Sequence, residues 1–274
     1  MDNKVIAGIV AVIIVIAAVG VYFGTQGGDD NNDVPTLSVI GSTTVTPVMS
    51  AIAENYEDAR LEVGGNGSSQ GVNDTLSGAA DIGMISRDLT QNEIDQGLVG
   101  YEIGKDAVAI IVDKDAGITS LSIEQLHQIY SGEVTNWSQV GGNDLEINPI
   151  VREAGSGTRD CFDSIVDLKD VDMTGFASAN ANGTMVTTVE GTTGAIGYIG
   201  LGYISDIDTD VVCEVSVDGV LASAETALDG TYKLVRGLFL ITLGEATGDA
   251  KAVIDYVLSD EGQQYVVNAG YIAL

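Results

Sequence analysis

The chain has 274 residues, of which 45% are hydrophobic and 5% aromatic, with 35 glycines and 3 prolines. That excludes a disordered chain and leaves room for one large domain or two lobes, each with its own core. Asp and Glu number 40 against 11 Lys and Arg, a formal net charge of -29. This excludes nucleic acid as a partner and electrostatic docking on anionic lipid, because both need a basic face.

The first segment stands apart. Val5 to Phe23 is a run of nineteen residues without a charge. At about 1.5 Å per residue it nearly spans a bilayer core. Residues 1–24 are read as an export signal or an uncleaved membrane anchor, and 25–34, with Gly27-Gly28 and Asp29-Asp30, as a flexible linker. No cysteine follows the run, which argues against a lipoprotein anchor. Lys4 before it and the acids after it place the remainder outside the cytoplasm, attached to the membrane or secreted after cleavage. Residues 34–274 keep 36 acids and 10 bases, a charge of -26. Such a surface stays soluble in high salt.

Residues 36–41 alternate as a strand and end at Gly41, and Pro47 opens a helical pattern through Met49, Ile52 and Tyr56. A short strand over 60–63 leads through Gly64–Gly71 into a helix over 72–76. Strands follow at 81–85, 101–103 and 107–112. Ser122 caps a helix through Ser131, and the scheme repeats with a strand over 147–151 and a helix over 159–166. Val186–Val189 reads as helix; 195–198, 211–217 and 234–242 read as strands; one long helix over 249–268 closes the chain. Strands alternating with helices predict an α/β fold with mainly parallel sheets.

Three strand ends run into loops rich in glycine and hydroxyls that start helices: Gly41-Ser42-Thr43-Thr44, Gly67-Ser68-Ser69 and Gly155-Ser156-Gly157-Thr158. Each offers bare N–H groups and a hydroxyl at the positive end of a helix, the makings of an anion site. One such loop is ordinary capping. Three together lie where ligands sit in open α/β sheets, beyond the carboxyl ends of the strands. Arg152, four residues before Ser156, can grip two oxygens of a tetrahedral oxyanion. Arg87 is divided between the ligand and a salt bridge. Asp81 is read as a cap, Trp137 as a packing anchor, and His127, off the apolar face of its helix, as exposed or locally bonded. Cys161 and Cys213 are either one disulfide or two unpaired thiols. No nucleophile with a neighbouring base is visible, so no enzyme, cofactor or metal is expected.

The chain resembles the short form of the phosphate-binding protein of the phosphate ABC importer over residues 36–274. The resemblance is carried by Gly41–Pro47, Gly67–Val72, Ala80–Arg87, Ile129–Trp137, Arg152–Thr158, Gly194–Tyr198 and Leu258–Gln263, in that order. It implies a two-lobed type II periplasmic-binding-protein-like fold with a hinge between the lobes. Residues 35–113 plus 206–274 are expected as one lobe and 114–205 as the other, with hinges near Asp113–Gly117 and Gly202–Asp208. It also implies capture of inorganic phosphate and its delivery to the membrane permease of an ABC importer, by a monomer. By that resemblance Thr43 gives a hydroxyl, Thr44 a backbone N–H, and Ser68 both. Arg152 gives the bidentate contact, Ser156, Gly157 and Thr158 donate from a helix N-terminus, and Ser42 and Ser69 stand beside them. Long members place an aspartate where Ser86 stands; that carboxylate accepts the proton of the phosphate and repels sulfate. Ser86 can accept or donate. Another oxyanion, sulfate or molybdate, and a role as a membrane-anchored oxyanion sensor therefore stand as alternatives.

Overall fold

The computed structural model describes residues 34–274. The signal or anchor expected over 1–24, and all but the last residue of the linker, lie outside the described residues. Among the described residues no helix is long and apolar enough to cross a membrane.

Strand β1 (Thr36–Gly41) pairs in parallel with β2 (Arg60–Gly65) on one side and β3 (Ile82–Ile85) on the other. The connecting helices are α1 (Thr46–Ala53), with Pro47 in its first turn, and α2 (Ser68–Ser77). Gly71 lets α2 lie directly on the sheet, since a Cβ there would stand 2.8 Å from the carbonyl oxygens of Ile40 and Met84. After α3 (Gln91–Asp95) comes β4 (Leu98–Asp113), one strand of 16 residues where the sequence suggested two. Its first part pairs with β10 (Val235–Leu243), and its second with β8 (Ala195–Gly200) and β9 (Val212–Val217), all antiparallel. Beyond β8 lie β6 (Asn148–Arg152) and β7 (Ala177–Ala179), both parallel; β5 (Ser120–Leu121) joins β9. The order is β2-β1-β3-β10-β4-β8-β6-β7. The sheet is therefore mixed, parallel only on its flanks, because β4 and β10 run against their neighbours.

The remaining helices are α4 (Ile123–Tyr130), α5 (Gly157–Ile165), α6 (Asn182–Glu190), α7 (Ala224–Leu228), α8 (Gly248–Val257) and α9 (Asp260–Asn268). The single closing helix suggested by the sequence is two. Ser259 ends the first and caps the second by accepting from the Gly262 N–H. A Cβ at Gly262 would run into the Val257 backbone, so the turn between them is tight.

Two main hydrophobic cores result. Val39, Met49, Ile52, Ile82, Met84, Ile103, Leu238, Leu240 and Ile254 belong to the first. Ile110, Tyr130, Trp137, Phe162, Ile196, Tyr198, Val215 and Leu234 belong to the second. The chain passes from one to the other inside β4, between Ile103 and Ala107, and back at the start of β10, between Leu234 and Leu238. The loops at Asp113–Gly117 and Gly202–Asp208 are not where the cores divide. Residues 107–112 and 212–234 pack with the second core. Both crossing strands run on through the division as a paired ribbon, across Gly104 in β4 and Gly237 in β10. The two crossings pair with each other: Arg236 faces Asp106 in register, and a β-bulge between Leu238 and Phe239 bends the ribbon.

Candidate functional site

Loops from both cores meet at one buried place. Ser42, Thr43 and Thr44 follow β1, Ser68 starts α2 and Ser86 ends β3; Arg152 ends β6, and Ser156, Gly157 and Thr158 start α5. Of these, Thr43 is the most exposed polar side chain, at 8%. Glycines allow the approach. Gly41 turns at φ +146 where a Cβ would strike the Met84 carbonyl, and a Cβ at Gly157 would collide with the Ser68 and Ser86 hydroxyls. Gly155, at φ +88, makes the turn into α5 and accepts from the Ser69 N–H at 3.0 Å.

Arg152 is 1% exposed and uses its whole fork. Nε and Nη2 donate to the Glu153 carboxylate at 2.9 Å each. Nη1 donates to Asn182 Oδ1 at 3.0 Å. Three contacts are longer, all 3.3 Å: Nε to the Ala179 carbonyl, Nη1 to Thr158 Oγ1 and Nη2 to Thr43 Oγ1. All three lie at the weak end of hydrogen bonding, and the two threonine contacts mark the Nη1–Nη2 edge of the fork, which an oxyanion can take over. Asn182, fully buried at the start of α6, also accepts from the Gly200 N–H at 3.3 Å and donates to Thr44 Oγ1 at 3.0 Å. Arg236 donates from Nη2 to the same Thr44 Oγ1 at 3.0 Å, while Nε and Nη2 hold Asp106 at 3.0 and 2.6 Å. Burial pushes the Asp106 carboxyl above its ordinary value, against the pull of Arg236.

On the other side runs a serine chain. Ser42 Oγ donates to Ser86 Oγ at 3.0 Å, and Ser86 Oγ lies 3.4 Å from Ser68 Oγ. Ser68 Oγ accepts from the Ser86 N–H, and Ser42 Oγ from the Thr44 N–H. The site thus gathers two guanidiniums, each matched by one carboxylate, with hydroxyls between them. Such an arrangement can hold a small tetrahedral anion by donors from every side.

A model of the PBP superfamily domain matches residues 28–261. The phosphate-binding protein PstS of Bacillus subtilis is 32% identical over 244 residues, covering 86% of this chain and 80% of that one. PstS of Borreliella burgdorferi is 30% identical, covering 97% and 98%. The structure of a phosphate ABC transporter substrate-binding protein with bound phosphate from Clostridium perfringens superposes with TM-score 0.82 at 38% identity, over 87% of this chain and 99% of that one. The chain belongs to the PstS family of the PBP superfamily.

Within this PstS-family chain, nine of the ten residues singled out from sequence share the cluster. Ser69 stands at its margin, with its N–H already on Gly155 and its side chain half-buried. The Thr44 N–H, expected to face a ligand, donates instead to Ser42 Oγ. Arg87 is a salt bridge: its nitrogens hold Glu93 at 2.7 and 2.8 Å, and its Nε meets Asp160 on α5 at 2.9 Å. Asp81 caps Ser38, Trp137 is fully buried with its N–H on the Gly194 carbonyl, and the His127 ring bonds the Val166 carbonyl. Both cysteines are free, and burial pushes the Cys161 thiol up to about 11. Sequence reasoning missed Glu153, Asn182, Arg236 and Asp106. The first was adjacent to Arg152 and could have been paired with it. The other three carry no local motif; Arg236, one of so few arginines and set in an apolar strand, was the available signal.

Proposed function

We propose that the protein captures inorganic phosphate outside the cytoplasm, between two lobes that close on it, and delivers it as a monomer to the membrane permease of an ABC importer. The observation that carries the reading is the buried meeting of Arg152 with Thr43, Thr158 and Asn182, in which the two threonine contacts, at 3.3 Å, lie on the Nη1–Nη2 edge of the fork. The phosphate bound in the Clostridium relative and the names of the curated relatives support it. Arg152 would take two phosphate oxygens. Thr43, Ser68 and Thr158 would donate hydroxyls, the first turn of α5 its N–H groups, and Ser42 and Ser86 would complete the ring. The lobes would be residues 35–105 plus 237–274 and residues 106–236, hinged on β4 and β10 as the cores divide.

The reading is of binding without catalysis. Cys161 is held protonated by burial, and His127 is tied to Val166 in the second core, so neither is placed as an activated nucleophile or base. Ser86 favours a second reading, a wider oxyanion range, because a hydroxyl accepts a proton less demandingly than a carboxylate and does not repel sulfate. Calorimetric titration of the ligand-free protein with phosphate and then sulfate tests both. One-to-one binding at micromolar concentration or tighter, with sulfate silent, supports phosphate alone. A sulfate signal of similar size moves the assignment to oxyanions in general, and silence with both overturns it.

A further inference from the structure

Arg236 has no place in the ligand contacts expected of this chain, yet it reaches them. A threonine hydroxyl has one proton to give and two lone pairs to receive. At Thr44 Oγ1 both lone pairs are taken by groups that can only donate: Arg236 Nη2 and Asn182 Nδ2, each at 3.0 Å. The Asn182 amide cannot be turned round, because its Oδ1 accepts from Arg152 Nη1 and from the Gly200 N–H. The proton of Thr44 must therefore point away from both. The acceptor in that direction is Thr158 Oγ1, at 3.4 Å, or an anion oxygen lying between the two hydroxyls. Thr158 in turn receives Arg152 Nη1, so its own proton is also left for an anion. We infer that Arg236 is a positioning residue for the oxyanion, acting through Thr44, and that it makes this side of the site one that only donates.

Two further observations support the assignment, which rests on the phosphate reading above. A lysine would satisfy Asp106; the second nitrogen of the guanidinium is what reaches Thr44, and Nη1 is left buried without a partner. Arg236 and Asp106 also face each other on the two strands that pass between the cores, so the hydroxyl is oriented from the crossing itself. The opposite side, Ser42–Ser86–Ser68, is where a hydroxyl chain can reverse. An oxyanion that keeps a proton would turn it toward Ser86.

The test is a double-mutant cycle on phosphate affinity with Arg236→Lys and Thr44→Val, singly and together, with the melting temperature of each ligand-free protein recorded. Lysine keeps the charge opposite Asp106 but ends one bond short of Nη2. Arg236→Lys should weaken phosphate about tenfold, the scale of one hydrogen bond to a charged group, and should add almost nothing once Thr44 is valine. Equal losses in both backgrounds would show that Arg236 acts through the hinge and not through Thr44, and unchanged affinity would show that it does not act at all; either overturns the inference. If Arg236→Lys does not fold, Asp106→Asn with Arg236→Gln replaces the pair by neutral partners, and the same non-additivity is expected. Wild-type protein that binds no phosphate overturns the functional reading and this inference with it. Wild type that binds while the variants match it overturns the inference alone.

Discussion

Gly157→Ala separates closure from folding. Gly157 opens α5 beside the second core, and its α-carbon faces Ser68 and Ser86, which belong to the loops of the first. An added Cβ would overlap both hydroxyls and stand 3.1 Å from the Ser86 carbonyl oxygen. Either the serine chain breaks or the loops stay apart. Overpacking of this kind costs about 1–3 kcal/mol, so the phosphate dissociation constant should rise roughly 5- to 150-fold. The ligand-free, open protein should not feel the methyl, and alanine in a helix is favoured over glycine by up to about 1 kcal/mol. Its melting temperature should therefore hold or rise. Calorimetry for affinity and scanning fluorimetry without ligand give the two numbers. Unchanged affinity, or a loss of ligand-free stability as large as the loss of binding, would refute the idea that the two loops approach only on closure.

Arg152→Lys should weaken phosphate at least tenfold by titration, because one ammonium cannot serve Glu153, Asn182 and an oxyanion together. At Glu93, burial pushes the carboxyl up, but the hydrogen bonds from Arg87 and the Thr90 backbone outweigh it and hold it below its ordinary 4.5. Its contribution to stability is complete above that ordinary value and is lost as pH falls through the lower folded value. Glu93→Gln should therefore flatten the acid limb of a melting-temperature profile. Added salt with a non-competing anion should speed phosphate association by screening the acidic surface, as stopped-flow at two ionic strengths would register; a slower rate would point to exposed cations steering the ligand. Thiol titration in denaturant without reductant should count two thiols, and without denaturant Cys161 should react slowly at pH 8.

The hydroxyl and glycine loops were legible because their chemistry is local. A strand end, a glycine and a capping hydroxyl fall within a few residues, and Arg152 sits four positions from the helix it serves. Elements with strong periodicity or a cap, such as α4 after Ser122, were legible for the same reason. Asn182, Arg236 and Asp106 were not, since each joins the site only through partners 95 or more residues away in the chain or, for Asn182, through a helix start with no capping side chain. The long β4 was divided at Gly104 and Lys105 because glycine and charge usually end a strand. Here Gly104 has room for no side chain against the Ile272 carbonyl, and the Lys105 backbone is bridged to Ile272. The break at Ser259 was hidden by an apolar rhythm that continues across it.

The paired crossing of β4 and β10 has a consequence for how the molecule comes apart. A lobe attached by loose loops can melt while its neighbour stands. Here each core takes part of its sheet from the same two strands, and the seam is sealed by the buried ion pair of Asp106 and Arg236. Losing either half would fray strands that the other half needs and strand a charge in an apolar setting. Heat and denaturant should therefore meet a single cooperative unit, although the described residues form two main hydrophobic interiors.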